Sequence, residues 1–172
     1  LALRKGLDTP SPPYPMPETA ETQKTKKKPV RLYVSESATR EQRLETYKLW
    51  LAQEDGKQRE IHRFQTSGMK VVKARANAID QLLRHMFDYD LRAFESEYGK
   101  LPFAIGILAL GGYGRAELCP HSDVDIMFLY PEKIRAKILP KFQEIFTERI
   151  LYMLWDLGFK VGHSTRTIKQ SM

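Results

Sequence analysis

The first regular pattern of apolar and polar residues predicts an amphipathic helix that begins near Ser37. Glu, Arg and Lys separate apolar residues at helical spacing, namely Ala38, Leu44, Tyr47 and Leu51. The dipeptide Asp55-Gly56 then predicts the end of this helix, because glycine is a poor helix former.

A longer helical pattern covers residues 59–98. Its apolar residues fall on one stripe with i, i+3, i+4 and i+7 spacing, namely Ile79, Leu82, Leu83, Met86, Phe87, Leu91 and Phe94. The run Thr66-Ser67-Gly68 predicts a break in its first part. Gly99, followed by Pro102, predicts its end.

Short apolar runs replace the helical stripe from Phe103 onward. Residues 103–110 (FAIGILAL) are apolar and bounded by proline and glycine, which predicts a buried strand, although Ala and Leu leave a helix open. Residues 124–130 (VDIMFLY) predict a second strand. Its alternation places Val124, Ile126 and Phe128 on one face and Asp125 on the other.

A third helix is predicted over residues 132–156, ending at Gly158. Its apolar residues at core spacing are Ile134, Ile138, Phe142, Ile145, Phe146, Met153 and Leu154. Residues 159–163 predict a third strand, and residues 164–168 a turn or a further strand. The large aromatic residues assigned to the core are Trp50 and Trp155. These elements together predict an α+β fold.

The N-terminal residues 1–35 form a basic, Pro-rich tail. Six prolines lie among Ser, Thr, Glu and Lys, so we predict that this tail is disordered. Residues 1–31 hold seven Lys or Arg against three Asp or Glu, more than half of the net charge of +7. Its aromatic residues, Tyr14 and Tyr33, do not lie among the clustered lysines, so a solvated linker is favoured over a nucleic-acid contact.

The remaining chain is divided into a helical lead-in, residues 36–98, and a core, residues 99–172. A chain of 172 residues with 42% hydrophobic residues can bury one domain core. No apolar run approaches the length that spans a bilayer, and no signal peptide is evident, so no membrane partner is expected. Cys119 is the single cysteine, which fits a reducing, cytoplasmic location.

Candidate chemistry begins with Gly111-Gly112, directly after the first predicted strand. Glycines let the backbone approach a ligand and direct N–H groups at phosphate oxygens, although a tight turn uses them as well. Glu117 stands where a third glycine would complete a dinucleotide-binding fingerprint, and no Gly-Lys-Ser/Thr sequence completes a P-loop.

The second candidate is the pair Asp123 and Asp125 at the entrance of the second predicted strand. Residues two apart on a strand share a face, so the two carboxylates are expected to repel each other unless a divalent cation lies between them. Ser122 can donate to a phosphate oxygen or close a turn. Arg115 can hold a triphosphate, with Glu117 orienting it, or form a surface ion pair worth little.

Taken together, these motifs resemble a known family. A glycine turn followed by Asp-x-Asp resembles the nucleotidyltransferase superfamily of the DNA polymerase β type. The sequence Gly-Gly-Tyr-Gly-Arg-Ala-Glu-Leu, followed by Ser-Asp-Val-Asp-Ile, is similar to motifs of the bacterial protein-PII uridylyltransferases and their uridylyl-removing relatives. The later runs LWDLG and VGHSTRTI are similar to that family too. Glutamine synthetase adenylyltransferases carry a related glycine and Ser-Asp-x-Asp motif, but the sequence of their glycine loop is different.

The resemblance implies a nucleotidyltransferase-type mixed sheet flanked by helices. It also implies that Asp123 and Asp125 bind Mg²⁺, while Gly111, Gly112 and Ser122 hold the triphosphate of UTP. The implied reaction transfers UMP to a tyrosine of the PII nitrogen-signalling protein and releases pyrophosphate.

One departure from the family concerns a third carboxylate, which the superfamily takes from a later strand. The acids after Asp125 fall on the predicted helix or at its ends, namely Glu132, Glu144, Glu148 and Asp156. The core is therefore expected to continue beyond Met172. A nucleotide-binding module without turnover, an adenylyltransferase relative and a basic helical interaction module stay open as alternatives.

Overall fold

The computed structural model describes residues 31–64, 67–101, 103–132 and 139–171. The predicted tail lies outside the described residues up to residue 30. Residues 31–35 have no regular secondary structure. The predicted core residues Ile134 and Ile138 also lie outside the described ranges.

Two long helices form the lead-in, α1 (Arg40–Phe64) and α2 (Gly68–Tyr98). The predicted end of the first helix at Asp55-Gly56 is wrong, because α1 continues for two further turns. The second helix begins at Gly68 and not near residue 59, although the predicted break lies where the two helices meet. Gly99 ends α2 as predicted, and its N–H donates to the Glu95 carbonyl at 3.0 Å.

Three strands form one mixed sheet in the order β1 (Gly106–Ala109), β2 (Val124–Tyr130) and β3 (Val161–Thr167). The strands β1 and β2 are antiparallel, whereas β2 and β3 are parallel. The bounds predicted for β2 are confirmed. The strand predicted over residues 103–110 is present but covers only Gly106–Ala109. The prediction that this strand is buried is wrong, because Leu108 is 44% exposed. The third strand begins at Val161 and includes residues 164–167 of the segment predicted as a turn or further strand.

The helical segments around β2 and β3 are short. A single turn, α3 (Gly111–Gly114), follows β1. The described helical run after β2 has three consecutive parts, namely α4 (Leu139–Phe142), a π-helical segment (Gln143–Glu148) and α5 (Arg149–Asp156). The helix predicted over residues 132–156 is confirmed from Leu139 onward, and its predicted start lies outside the described residues.

Side chains from the lead-in helices, β2 and α5 share one buried cluster. Its large members include Tyr47, Trp50, Ile79, Leu82, Ile126, Phe128, Ile150 and Leu154. A second cluster joins the end of α2 to the π-helical segment and consists of Phe94, Phe142, Ile145 and Phe146. The core assignment of Trp50 is confirmed. The assignment of Trp155 is wrong, because its side chain is 44% exposed and lies edge-on to Tyr152. The predicted α+β class is confirmed.

Candidate active site

Asp125 lies at the start of β2, the central strand of the sheet. Val124, Ile126 and Phe128 point into the core, so alternation turns Asp125 to the opposite face, where it is half-buried. Asp123 is exposed and directly precedes the strand. The Val124 N–H donates to the Lys160 carbonyl at 2.8 Å. This hydrogen bond holds the N-terminal end of β2 against the residue that precedes β3.

The glycine turn is in contact with the Asp125 carboxylate. Gly111 has φ +55°, a conformation that other residues rarely adopt, and a Cβ atom there would lie 3.1 Å from Asp125 Oδ2. The Leu110 N–H donates to the Asp125 backbone carbonyl at 2.8 Å. The turn after β1 and the carboxylate on β2 are therefore held together by a backbone hydrogen bond and by close packing.

Gly112 anchors the rest of this turn. Its carbonyl accepts hydrogen bonds from the N–H groups of Arg115 at 3.2 Å and Glu117 at 2.9 Å. A Cβ atom on Gly112 would lie 3.1 Å from the Glu117 carbonyl oxygen. Ala116 completes the turn at φ +56°, so the chain accepts a strained backbone at a non-glycine residue here. In this structure Gly112 serves the tight turn.

Arg115 and Ser122 make local contacts. The Arg115 guanidinium donates to the Gly111 carbonyl at 3.0 Å and to Glu117 Oε2 at 3.5 Å. The Arg115 side chain is 68% exposed, so its ion pair with Glu117 contributes little stability. The Ser122 hydroxyl donates to the Cys119 carbonyl at 2.9 Å and closes a turn. The roles of Arg115 and Ser122 toward a triphosphate stay predictions.

Gly162 is a site residue that sequence reasoning did not single out. It is the register partner of Asp125 across β2 and β3. A Cβ atom on Gly162 would overlap Asp125 Oδ1 and lie 3.4 Å from its Cγ. The Asp125 carboxylate thus fits between Gly111 and Gly162. A glycine inside a strand signals a close approach, but its partner is evident only once the strand register is known.

The titratable residues of β3 are His163 and Arg166. Arg166 pairs with Leu129, on the same face as Asp125 but four residues further along β2. His163 pairs with Ile126 and faces the helices, where its ring lies 6.1 Å from that of Trp155. Neither residue therefore lies beside the Asp125 carboxylate.

The acidic pair has the chemistry of a magnesium site. Within the described ranges, no hydrogen bond or ion pair reaches the side-chain oxygens of Asp123 or Asp125. The same ranges contain no group of three or more His, Cys, Asp or Glu that can hold a metal ion. Mg²⁺ is commonly held by one or two carboxylates together with substrate phosphates and water. The residues present therefore fit a cation that arrives with a nucleotide.

Among the described residues, no helix has the length and apolar character needed to cross a membrane.

Comparison with known proteins identifies bacterial enzymes that are similar to this chain. A bifunctional uridylyltransferase/uridylyl-removing enzyme of Cereibacter sphaeroides is 56% identical over 68 residues, which are 40% of this chain and 7% of the relative. Enzymes of the same name from Erythrobacter litoralis and Rhodospirillum rubrum are 43% and 39% identical over 103 and 108 residues. Those alignments cover 59% and 60% of this chain and 11% of each relative.

This chain therefore spans about a tenth of the length of the curated relatives that it matches. No family model and no solved structure matches the chain. The resemblance indicated by the glycine turn and the Ser-Asp-Val-Asp motif is nevertheless confirmed. Over the aligned region, the chain is homologous to the bifunctional uridylyltransferase/uridylyl-removing enzymes.

Proposed function

We propose that this chain carries the nucleotide-binding part of a nucleotidyltransferase that transfers UMP from UTP to a tyrosine of a PII-type protein. The observation that carries the proposal is the placement of Asp125 between Gly111 and Gly162, two residues after the exposed Asp123. The names of the homologous proteins support uridylyl transfer as the chemistry. A nucleotidyltransferase-type fold and a cytoplasmic location are parts of the same proposal.

The chain's own residues would bind and orient the nucleotide. Asp123 and Asp125 would hold Mg²⁺, which neutralises charge on the triphosphate as pyrophosphate leaves. The N–H groups of Gly111 and Gly112 are not used within α3, since its first hydrogen bond runs from Gly114 N–H to the Leu110 carbonyl. They are therefore available to phosphate oxygens. Arg115, mostly exposed beside the same turn, can add a positive charge.

A nucleotide-binding module without turnover is the second candidate. It is favoured by the absence of acidic residues from β3, whose sequence is VGHSTRT, since the resemblance implies a third carboxylate on a later strand. Such a module would bind UTP with Mg²⁺ but would transfer nothing. Both candidates therefore bind UTP with Mg²⁺, but only the transferase forms a uridylylated acceptor.

One experiment separates these candidates. The chain, lengthened beyond Met172 so that a later strand can supply the third carboxylate, is incubated with Mg²⁺, a PII-type acceptor and α-labelled UTP or ATP, and its thermal unfolding is followed with each nucleotide. Label transfer from UTP, together with a nucleotide-dependent rise in Tm, is the expected result. A rise in Tm without transfer assigns the non-catalytic module, and preference for ATP assigns an adenylyltransferase. The absence of both effects would overturn the nucleotide site and favour a basic helical interaction module.

Carboxylate variants test the metal ligands. Asp123→Asn and Asp125→Asn should each lower transfer by about two orders of magnitude or more, because losing a metal contact removes several kcal/mol of charge stabilisation. The matched control is Asp88→Asn on the exposed face of α2, which should leave transfer unchanged. Equal loss in all three variants would show that the effect is not specific to the proposed site.

A further inference from the structure

A basic groove lies between the C-terminal half of α1, the N-terminal part of α2 and the loop that precedes β2. Its volume is about 790 Å³. The charged and titratable residues that line it are Asp55, Arg59, His62, Arg63, Arg75 and His121. None of the residues proposed to hold the nucleotide or Mg²⁺ lines this groove, so it is a separate feature of the surface.

Charge in the groove is strongly unbalanced. Three guanidinium groups share the space with one carboxylate, that of Asp55. Within the described ranges, neither Arg59 nor Arg63 forms an ion pair with an acidic side chain. These two arginines are four residues apart on α1, where like charges repel and destabilise the helix. The cluster therefore has a cost within the fold and leaves its positive charge uncompensated.

Arg75 has an unused hydrogen-bond donor. Its Nε atom is buried without a hydrogen-bond partner among the described residues, and its side chain is only 16% exposed. Its nearest carboxylate oxygen, Asp55 Oδ1, is 3.9 Å from Nη1, beyond hydrogen-bond distance. A buried donor without an acceptor destabilises the fold. An anion in the groove would accept hydrogen bonds from the Arg75 Nη atoms, which are not buried as Nε is and form no hydrogen bond among the described residues, since guanidinium groups bind carboxylate and phosphate oxygens in pairs.

We propose that this groove is a binding site for a small anion that carries phosphate or carboxylate groups. Arg75 binds the anion at the inner wall, and Arg59 and Arg63 contribute charge from α1. The site is independent of the nucleotide site, because its lining shares no residue with the glycine turn or the acidic pair.

The test uses the 172-residue chain with EDTA and without divalent cations. Inorganic phosphate and citrate serve as the two probes, each compared with sodium chloride at the same ionic strength. The probe that binds should raise Tm by about 3–5 °C at ten times its Kd. The two probes distinguish a phosphate site from a carboxylate site. No specific rise with either probe would overturn the proposal.

Variants locate the binding. Arg75→Gln should weaken the affinity at least about tenfold, because a charge-assisted hydrogen bond is lost. If that variant does not fold, Arg59→Gln, at an exposed position in the same groove, should still weaken binding. The matched control is Lys73→Gln, which removes the same charge from an exposed position on α2 outside the groove. Equal affinities of Arg59→Gln and the control would contradict the proposal.

Asp125→Asn distinguishes failure of this site from failure of the proposed function. The variant should keep full anion binding while losing the Mg²⁺-dependent effect of UTP. Loss of the anion effect in Asp125→Asn would place the anion at the nucleotide site and overturn a separate groove site.

Discussion

At the scale of single residues, the Asp125 carboxylate fits its position because the two residues beside it are glycines without side chains. Gly111 and Gly162 approach it from the turn after β1 and from β3, and neither has a Cβ atom to displace it. Packing of this kind fixes the direction of a side chain, here that of a proposed metal ligand, without a hydrogen bond to it. A misplacement of about 1 Å is enough to cost two orders of magnitude in rate.

Gly162→Ala is expected to abolish nucleotide transfer and the Mg²⁺-dependent rise in Tm with UTP. The added methyl group occupies the position of Asp125 Oδ1, so the carboxylate must turn away. Thermal unfolding with and without Mg²⁺–UTP measures this effect independently of turnover. The matched control is Gly106→Ala on β1, where a Cβ atom meets nothing within 4 Å. A Gly162→Ala protein that retains the UTP effect would show that Asp125 does not hold the metal.

The buried carboxyl of Asp90 predicts a pH-dependent stability. Burial raises the pKa of Asp90 from 3.8 to about 6, although the nearby guanidinium groups of Arg43 and Arg149 oppose the rise. Arg43 lies 3.4 Å from Asp90 Oδ1 and also stacks over the Tyr89 ring. The folded chain therefore binds a proton more tightly than the unfolded chain between these two pH values.

The contribution of Asp90 to the free energy of unfolding should consequently be greatest at low pH and be lost as the pH rises through about 6. Relative to Asp90→Asn, the wild-type chain should gain about 1 kcal/mol between pH 7 and pH 5. Burial lowers the pKa of His85, which acts in the opposite direction, but this effect is common to both proteins and cancels. Urea unfolding at the two pH values measures the difference. A difference that does not change with pH would contradict the assignment.

At the scale of elements, α1 shows how tertiary packing overrides a local stop signal. Asp55 and Gly56 lie in the interior of a 25-residue helix, which packs against α2 and buries Gln58 after the dipeptide. Glycine in a helix costs about 1 kcal/mol, and the packing of α1 against α2 offsets that cost. The helix therefore continues through the dipeptide.

Gly56→Ala should stabilise the chain by about 0.5–1 kcal/mol. A Cβ atom at Gly56 meets nothing within 4 Å, so the substitution removes backbone entropy from the unfolded chain without a steric cost. Denaturant unfolding gives the change in stability. A destabilised variant would indicate that α1 is interrupted at this residue.

Gly114→Ala should have the opposite effect. Its Cβ atom would lie 2.7 Å from the Ala109 carbonyl oxygen, a backbone atom of β1 that cannot move without disturbing the sheet. Overpacking of this kind costs about 1–3 kcal/mol. Comparison with Gly56→Ala in the same unfolding assay provides the control, because the two substitutions add the same group to a helical glycine. Equal effects would show that β1 and α3 do not pack as closely as described.

At the scale of the whole molecule, the lead-in helices and the sheet share one hydrophobic core. Tyr47 and Trp50 of α1 belong to the same buried cluster as Ile126 and Phe128 of β2. An ion pair between Arg40 and Asp156 adds a contact between α1 and the end of α5. The division of the chain at residue 99 stays a prediction, but elements that share a core are expected to unfold together.

Trp50→Ala should therefore destabilise the whole chain by about 3–5 kcal/mol and leave a single unfolding transition. Far-UV circular dichroism follows the helices. The fluorescence of Trp155, which remains in the variant and lies beside His163 of β3, follows the unfolding of the sheet region. Coincident curves from the two signals are expected. Separate midpoints would show that the lead-in is an independent domain.

Local patterns determined much of the architecture. The apolar run VDIMFLY, interrupted only by Asp125, predicted the bounds of β2, and the two-residue period of a strand predicted the face on which Asp125 stands. The apolar stripe of α2 defines its buried side, and the glycine and Asp-x-Asp motifs identified the relatives. These features are encoded by residues near one another in the chain, so periodicity and motif spacing are sufficient to read them.

Tertiary structure alone decided the features that depend on contacts between distant residues. The pairing of Gly162 with Asp125 requires the parallel register of β2 and β3, and the exposure of Trp155 requires the position of α5 against the sheet. The continuation of α1 through Gly56 and the basic groove around Arg75 likewise arise from the packing of α1 against α2. No local pattern encodes these contacts, because each is set by the free energy of the assembled core.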